Sequence, residues 1–353
     1  LKALKKAPVQ IFLLFFVSFL FLWISRTFTG FADWYVKTIY PTWLNTIGRI
    51  FSIVPFSVAE IGIYILVVLF IVGVVRCLLT AQRWVSFGYQ ILRVLGILFL
   101  LFVFNCGINY SRTPFSQESQ LLVEEYNLEQ LKALSASLTE DVNYWSTQVE
   151  RDAEGLAIIN CDISSAGIKA MGSLGDKYEV LSGFYSNPKP VLNSSILSYQ
   201  HLTGIYSPFT IEANYNNDMT AYNIPFTVCH ELSHLKGFMW EDEANYIAYL
   251  ACMESDEAIF NYSGVLLAWI YSTNELYAAD YEAFVTVRAD LAQEVGIDLA
   301  ANISFWNRYE GKISELSETV NDVYLKSNNQ PEGIKSYDRM VSLLIANYQN
   351  EGE

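Results

Sequence analysis

Three long apolar runs crowd the first third of the chain, and they constrain its fold more than any other feature. They cover residues 9–25 (VQIFLLFFVSFLFLWIS), about 57–79 and about 89–108. Each is near the roughly 20 residues a helix needs to cross a bilayer. Hydrocarbon offers no water to backbone N–H and C=O groups, so such a segment closes its own hydrogen bonds as a helix. Three runs in succession, separated by basic or aromatic stretches, argue against buried core helices. The first follows a basic start like a signal peptide, but no small-x-small cleavage site follows it, so a retained anchor is expected.

Charge divides the chain at the same place. Residues 1–108 carry nine Lys/Arg against Asp33 and Glu60, a net of +7, while the remainder carries thirteen against thirty-five Asp/Glu, a net of −22. An acidic part with no basic stripe has nothing to neutralise phosphates, so no nucleic-acid partner is expected. The N-terminus and the loop between runs two and three hold Lys2, Lys5, Lys6, Arg76 and Arg83, and Arg93 snorkels to the same side. The loop between runs one and two holds only Arg26, Lys37 and Arg49. This excess puts the N-terminus in the cytoplasm and everything after Asn109 outside. The aromatic stretch 31–56 is expected along the membrane interface, which makes lipid a partner. Five cysteines (Cys77, Cys106, Cys161, Cys229, Cys252) form no C-x-x-C pair and no disulfide framework. A Cys229–Cys252 bridge and a pair of buried thiols both remain open.

Beyond residue 110 the patterning changes. Hydrophobic positions recur at helical spacing over 121–149, with Asn127 or Ser135 as a cap. Residues 196–202 and 205–214 read as strands broken at Gly204 and Pro208, and helical patterns continue from 224 almost to 344.

Only three histidines occur, and two of them flank His230-Glu231-Leu232-Ser233-His234. On a helix this spacing puts both imidazoles on one face, one turn apart, where they can share a metal ion. Pro225 suits the first turn of that helix and Gly237 its left-handed end. A catalytic zinc site needs a third protein ligand and an open fourth position. No histidine follows, so a carboxylate must serve, and Glu241, Asp242 and Glu243 lie close by. If Gly237 reverses the chain and a helix starts near Trp240, Glu241 and Asn245 share one face. Glu241 then ligates the metal and Asn245 orients a histidine ring; Glu243 points elsewhere and is the weaker candidate.

The segment PFTVCHELSHLKGFMWEDEANYIAYLAC resembles the bacterial membrane family DUF3810, which carries a zinc-peptidase motif. The stretches TGIYSPFTIEANYN and VNDVYLKSNNQPEGIKSYDRMVSLL are similar to further blocks of that family. More distantly, H-E-x-x-H followed by E-x-x-x-N resembles gluzincin peptidases and the ImmA/IrrE-like peptidases. The resemblance implies His230, His234 and Glu241 as ligands of Zn²⁺ and Glu231 as catalytic base. Glu241 follows His234 after six residues, closer than in most gluzincins, and Trp240 stands where a metzincin has a ligand.

The expected architecture is mainly α: three transmembrane helices in residues 1–108, then an extracytoplasmic zincin-like α+β domain over 109–353, dominated by helices with a small sheet. The expected function is a membrane-anchored zinc endopeptidase acting on peptide or protein substrates. Glu231 takes a proton from the attacking water and returns it to the leaving amine. Tyr206, Tyr215, Tyr324, Tyr337, Arg339 and His201 are candidates for a second donor to the oxyanion. An extended substrate is expected to pair with the edge of the run 209–216. The alternative is a non-catalytic zinc-binding membrane protein with a structural or regulatory envelope role. A transporter is disfavoured, because three crossings are few and no charge sits mid-run.

Overall fold

The computed structural model describes residues 2–80, 84–328, 330–333 and 339–351, with side chains from residue 7 to 350. Arg83, Tyr337 and the side chains of Lys2, Lys5 and Lys6 lie outside this description. The chain forms two compact units, Leu1–Thr113 with Ser207–Glu212, and Pro114–Tyr206 with Ala213–Glu353.

In the first unit, Ala7–Thr27, Val58–Leu79 and Trp84–Ser111 are helices long and apolar enough to cross a membrane. The third starts earlier than its apolar run, because Ser86, Gly88 and Gln90 dilute the hydropathy without breaking the helix. It then passes through a π turn at Val103–Gly107. The second begins at the N-cap Ser57, whose Oγ accepts from Glu60 N at 3.1 Å. Two more of its free N–H groups, Val58 and Ala59, donate to the Glu212 carboxylate at 3.2 and 2.9 Å, an anion at the positive end of a helix dipole. The aromatic stretch after the first helix is itself helical. It buries Ala32, Tyr35, Val36 and Tyr40 against Val103 and Ile108, and Tyr35 Oη donates to Phe104 O at 2.8 Å.

In the second unit, Leu128–Ser146 is a helix opened by a capping box between Asn127 and Gln130. Ser135 lies buried inside it and caps nothing. The stretch 196–202 is not a strand. Ser194–Tyr199 is a short helix that buries Leu197 and Ser198, since a six-residue apolar run is compatible with either period and packing decides. The stretch 205–214 folds into two strands, β2 (Gly204–Ser207) and β3 (Glu212–Tyr215). With β1 (Lys189–Pro190) they form a sheet of order β1-β3-β2, in which β1 runs parallel to β3 with Lys189 opposite Asn214. β3 is therefore central. The sheet's edges belong to β1 and β2, not to the stretch 209–216.

The helix Asn223–Leu235 is buried along nearly its whole length. Pro225 occupies its first turn, where a missing N–H is harmless, and Phe226 N donates to Ser263 Oγ at 3.0 Å from the neighbouring helix Ala258–Ala279. It ends at Gly237, whose φ of 86° is left-handed. Gly237 N donates to His234 O at 2.8 Å and Phe238 N to Ser233 O at 3.2 Å, the paired bonds of a Schellman turn. After extended Trp240, the helix Glu241–Met253 starts with three acidic residues in its first turn. Cys229 and Cys252 are free buried thiols.

Candidate metal centre

His230 and His234 project from one face of the Asn223–Leu235 helix, with ring centroids 4.6 Å apart. The Schellman turn carries Phe238 O to 2.7 Å from His234 Nδ1, which fixes that ring with Nε2 inward. The same turn delivers Glu241 as the first residue of the next helix. Its Oε2 stands 3.2 Å from His230 Nε2 and 3.5 Å from His234 Nε2. One ligand atom from each residue lies within 4.8 Å of the others. Ligand atoms on a tetrahedral ion with bonds of about 2.0–2.1 Å stand roughly 3.3 Å apart, so the spacing suits a small divalent ion.

The buried atoms call for a cation as well. Glu231 Oε2 is buried without a hydrogen-bond partner, and Glu241 Oε2 is buried against the two imidazole Nε2 atoms. Burial opposes the charged form of Glu241, but the two imidazoles hold its carboxyl well below the usual carboxylate range. Burial likewise opposes charge on His234, yet the Glu241 carboxylate carries the imidazole up to about 9. Burial pushes Glu231 up to about 7 against the pull of both histidines. Two nitrogens and a carboxylate oxygen in a closed, low-dielectric site form a donor set that fits zinc.

Glu231, the next residue on the helix, lines a cleft of about 440 Å³ together with His230. Thr203, Gly204, Thr227, Tyr271 and Asn321 contribute to its walls. β2 crosses over the helix here, and the Tyr206 backbone N–H bonds to Glu231. Residues 35–345 match the family described as "Protein of unknown function (DUF3810)". The chain belongs to the DUF3810 family. No match was found among curated proteins or among solved structures.

Other expected residues of this DUF3810 chain sort clearly. Glu243 is turned away from the histidines and accepts from Ser116 N at 3.0 Å and Ser116 Oγ at 2.8 Å. Burial raises its carboxyl to about 7 despite those bonds. Asn245 is buried and lines the cleft, and its Nδ2 has no hydrogen-bond partner. Of the described candidates for a second donor, His201 alone lines the cleft, where its Nδ1 stands 3.7 Å from Glu318. Arg339 is committed to Asp242, with Nε at 2.9 Å and Nη2 at 2.7 Å from Oδ2. Sequence reasoning missed Gly204 and Tyr271, which come from elements distant in the chain.

Proposed function

We propose that this chain is a membrane-anchored, zinc-dependent endopeptidase whose site lies outside the cytoplasm. The observation that carries the reading is the approach of Glu241 Oε2 to both histidine Nε2 atoms, with an unpartnered Glu231 oxygen beside them. A zinc ion held by His230, His234 and Glu241 would supply Lewis-acid polarisation of a carbonyl and a water of lowered pKa.

The remaining chemistry belongs to the chain's own residues. Glu231 accepts a proton from the attacking water as the water oxygen bonds to the carbonyl carbon and the π pair moves onto the carbonyl oxygen. On collapse the C–N bond breaks, and Glu231 returns the proton to the departing amine nitrogen. Burial favours the protonated form of Glu231, which helps the carboxylate take up that proton. The Tyr206 N–H keeps the carboxylate oriented. An extended peptide laid along the edge strand β2, whose Gly204 stands against Glu231, would reach the base, which favours a peptide or protein substrate over a small molecule. Three membrane-length helices support lipid as the second partner.

The test compares purified wild type with Glu231→Gln for zinc content and for cleavage of casein and a mixed peptide library. The expected result is equal zinc in both proteins and a loss of about 10²–10⁴-fold in cleavage for the variant. Equal cleavage by both would remove Glu231 from the mechanism. Zinc in both with cleavage by neither would favour a structural role. A reporter fused after residue 353 tests the side of the membrane, and a cytoplasmic signal would reverse the topology.

A further inference from the structure

Ser317, Glu318 and Asn321 leave one face of the helix Lys312–Ser327 and line the same cleft as His230 and Glu231. Among the described residues, none hydrogen-bonds any of these three side chains. Glu318 Oε1 stands 3.7 Å from His201 Nδ1, beyond hydrogen-bond reach, and the Glu318 side chain is 57% exposed. No lysine or arginine lines the cleft among the described residues, and Glu318 is its one carboxylate besides Glu231. A hydroxyl, an amide oxygen and a carboxylate on one wall offer acceptors to a donor that brings positive charge. An anionic side chain would meet only like charge there.

This wall is within reach of the reacting bond. His201, the neighbour of Glu318, precedes Gly204 by three residues, and three residues of chain span at most about 11 Å. Gly204 in turn stands against Glu231. An extended substrate covers the same distance in about three residues. The charge of the surrounding chain has the same sign. Residues 109–353 carry thirteen Lys/Arg against thirty-five Asp/Glu, a net of −22, which draws cationic ligands towards the part that holds the cleft.

We propose that Glu318 is a specificity-determining residue, which selects peptides that carry a lysine or arginine side chain within about three residues of the bond cleaved. This names the substrate class of the peptidase reading and rests on it. The Glu318 carboxylate holds the ammonium or guanidinium group, with the Ser317 hydroxyl and the Asn321 amide oxygen as neutral acceptors beside it. Solvent screens so exposed a carboxylate, so the discrimination is about 5–10-fold, well short of what a buried pair gives.

The experiment uses zinc-loaded full-length protein in detergent and an octapeptide series in which each position in turn holds lysine, norleucine or glutamate. kcat/KM is measured for wild type, Glu318→Gln, Glu318→Lys and the control Glu315→Gln, which removes the same charge from the same helix outside the cleft lining. Wild type is expected to prefer lysine over norleucine by about 5–10-fold at one position near the bond cleaved. Glu318→Gln should bring that ratio to within about twofold of unity. Glu318→Lys should prefer glutamate at that position, and Glu315→Gln should keep the wild-type ratio. Zinc content should be equal throughout. Wild type without a lysine preference, or a preference that survives Glu318→Gln, would overturn the assignment. So would a preference lost equally in Glu315→Gln, which would leave only the field of the whole acidic region. If Glu318→Lys does not fold, the near-isosteric Glu318→Gln decides alone. If zinc-loaded wild type cleaves no peptide, the peptidase reading fails by itself. The Kd values of the lysine and norleucine octapeptides for wild type and Glu318→Gln then test the site, and equal affinity of wild type for both peptides, or binding of neither, would overturn it.

Discussion

A β-carbon on Gly204 would stand 2.5 Å from Glu231 Oε1 and 2.8 Å from its Cγ. The edge strand β2 therefore runs so close over the Asn223–Leu235 helix that only a hydrogen fits between its backbone and the Glu231 side chain. The same added atom would lie 2.7 Å from Thr227 Cγ2, so the helix leaves it no free side. Gly204→Ala is expected to push the Glu231 carboxylate aside and lower kcat/KM by about 10²-fold, the scale of an ångström-sized misplacement. Zinc content should stay at the wild-type level, because none of the three ligands touches that space. Metal analysis beside peptide kinetics checks both halves.

Glu243 is anchored to Ser116 by two hydrogen bonds and lies off the metal centre. Glu243→Ala is expected to lower stability by about 1–3 kcal/mol, since it removes the carboxylate partner of two part-buried Ser116 donors. It should leave zinc binding intact. Thermal unfolding and metal content of the variant measure the two effects separately. Loss of zinc here would transfer the ligand role from Glu241.

Arg339 holds the Asp242 carboxylate through two nitrogens, and its guanidinium carbon lies 5.4 Å from the Trp240 ring centroid. Burial raises the Asp242 carboxyl despite the arginine, so removal of the partner leaves a buried acid. Breaking a fully buried pair costs about 3–5 kcal/mol. The Arg339 side chain is 36% exposed, so solvent screens the pair and about 2 kcal/mol is expected for Arg339→Ala. The turnover of zinc-loaded, folded variant should match wild type, because Arg339 is engaged with Asp242 and not with the substrate. Urea unfolding and kcat per bound zinc test this.

Asp162 caps the helix Ile163–Lys177 by accepting from Ser165 N at 2.7 Å. The Ser165 backbone N–H, followed by its side chain, lowers the Asp162 carboxyl below the ordinary value. A lowered folded pKa adds stability above the unfolded value of about 3.9 and loses it as pH falls through the folded one. The stability gap between wild type and Asp162→Asn should be constant above about pH 5 and narrow below about pH 4. Chemical unfolding at graded pH gives the slope, and a gap that widens on acidification would contradict the assigned cause.

The clustering of His230, His234 and Glu241 was legible in the sequence because its determinants are local. Pro225 and Gly237 mark the ends of one helix, and the turn at Gly237 brings Glu241 back beside His230 and His234 within a dozen residues. Capping chemistry made Asn127 readable for the same reason. Strand order was not readable. β1 is only Lys189–Pro190, too short to show a period, yet its pairing turns β3 into a central strand and leaves the sheet edges to β1 and β2. The close approach of Gly204 to Glu231 and the contribution of Tyr271 and Asn321 to the cleft are tertiary relations that no local pattern encodes.

The most direct test of the account is metal stoichiometry of the purified full-length protein by elemental analysis, beside Glu241→Ala and His230→Ala. The account expects one zinc per chain in wild type and little or none in either variant, with the fold retained by circular dichroism. Wild-type protein that binds no divalent ion after zinc loading, or a Glu241→Ala variant that holds zinc as tightly as wild type, would contradict it.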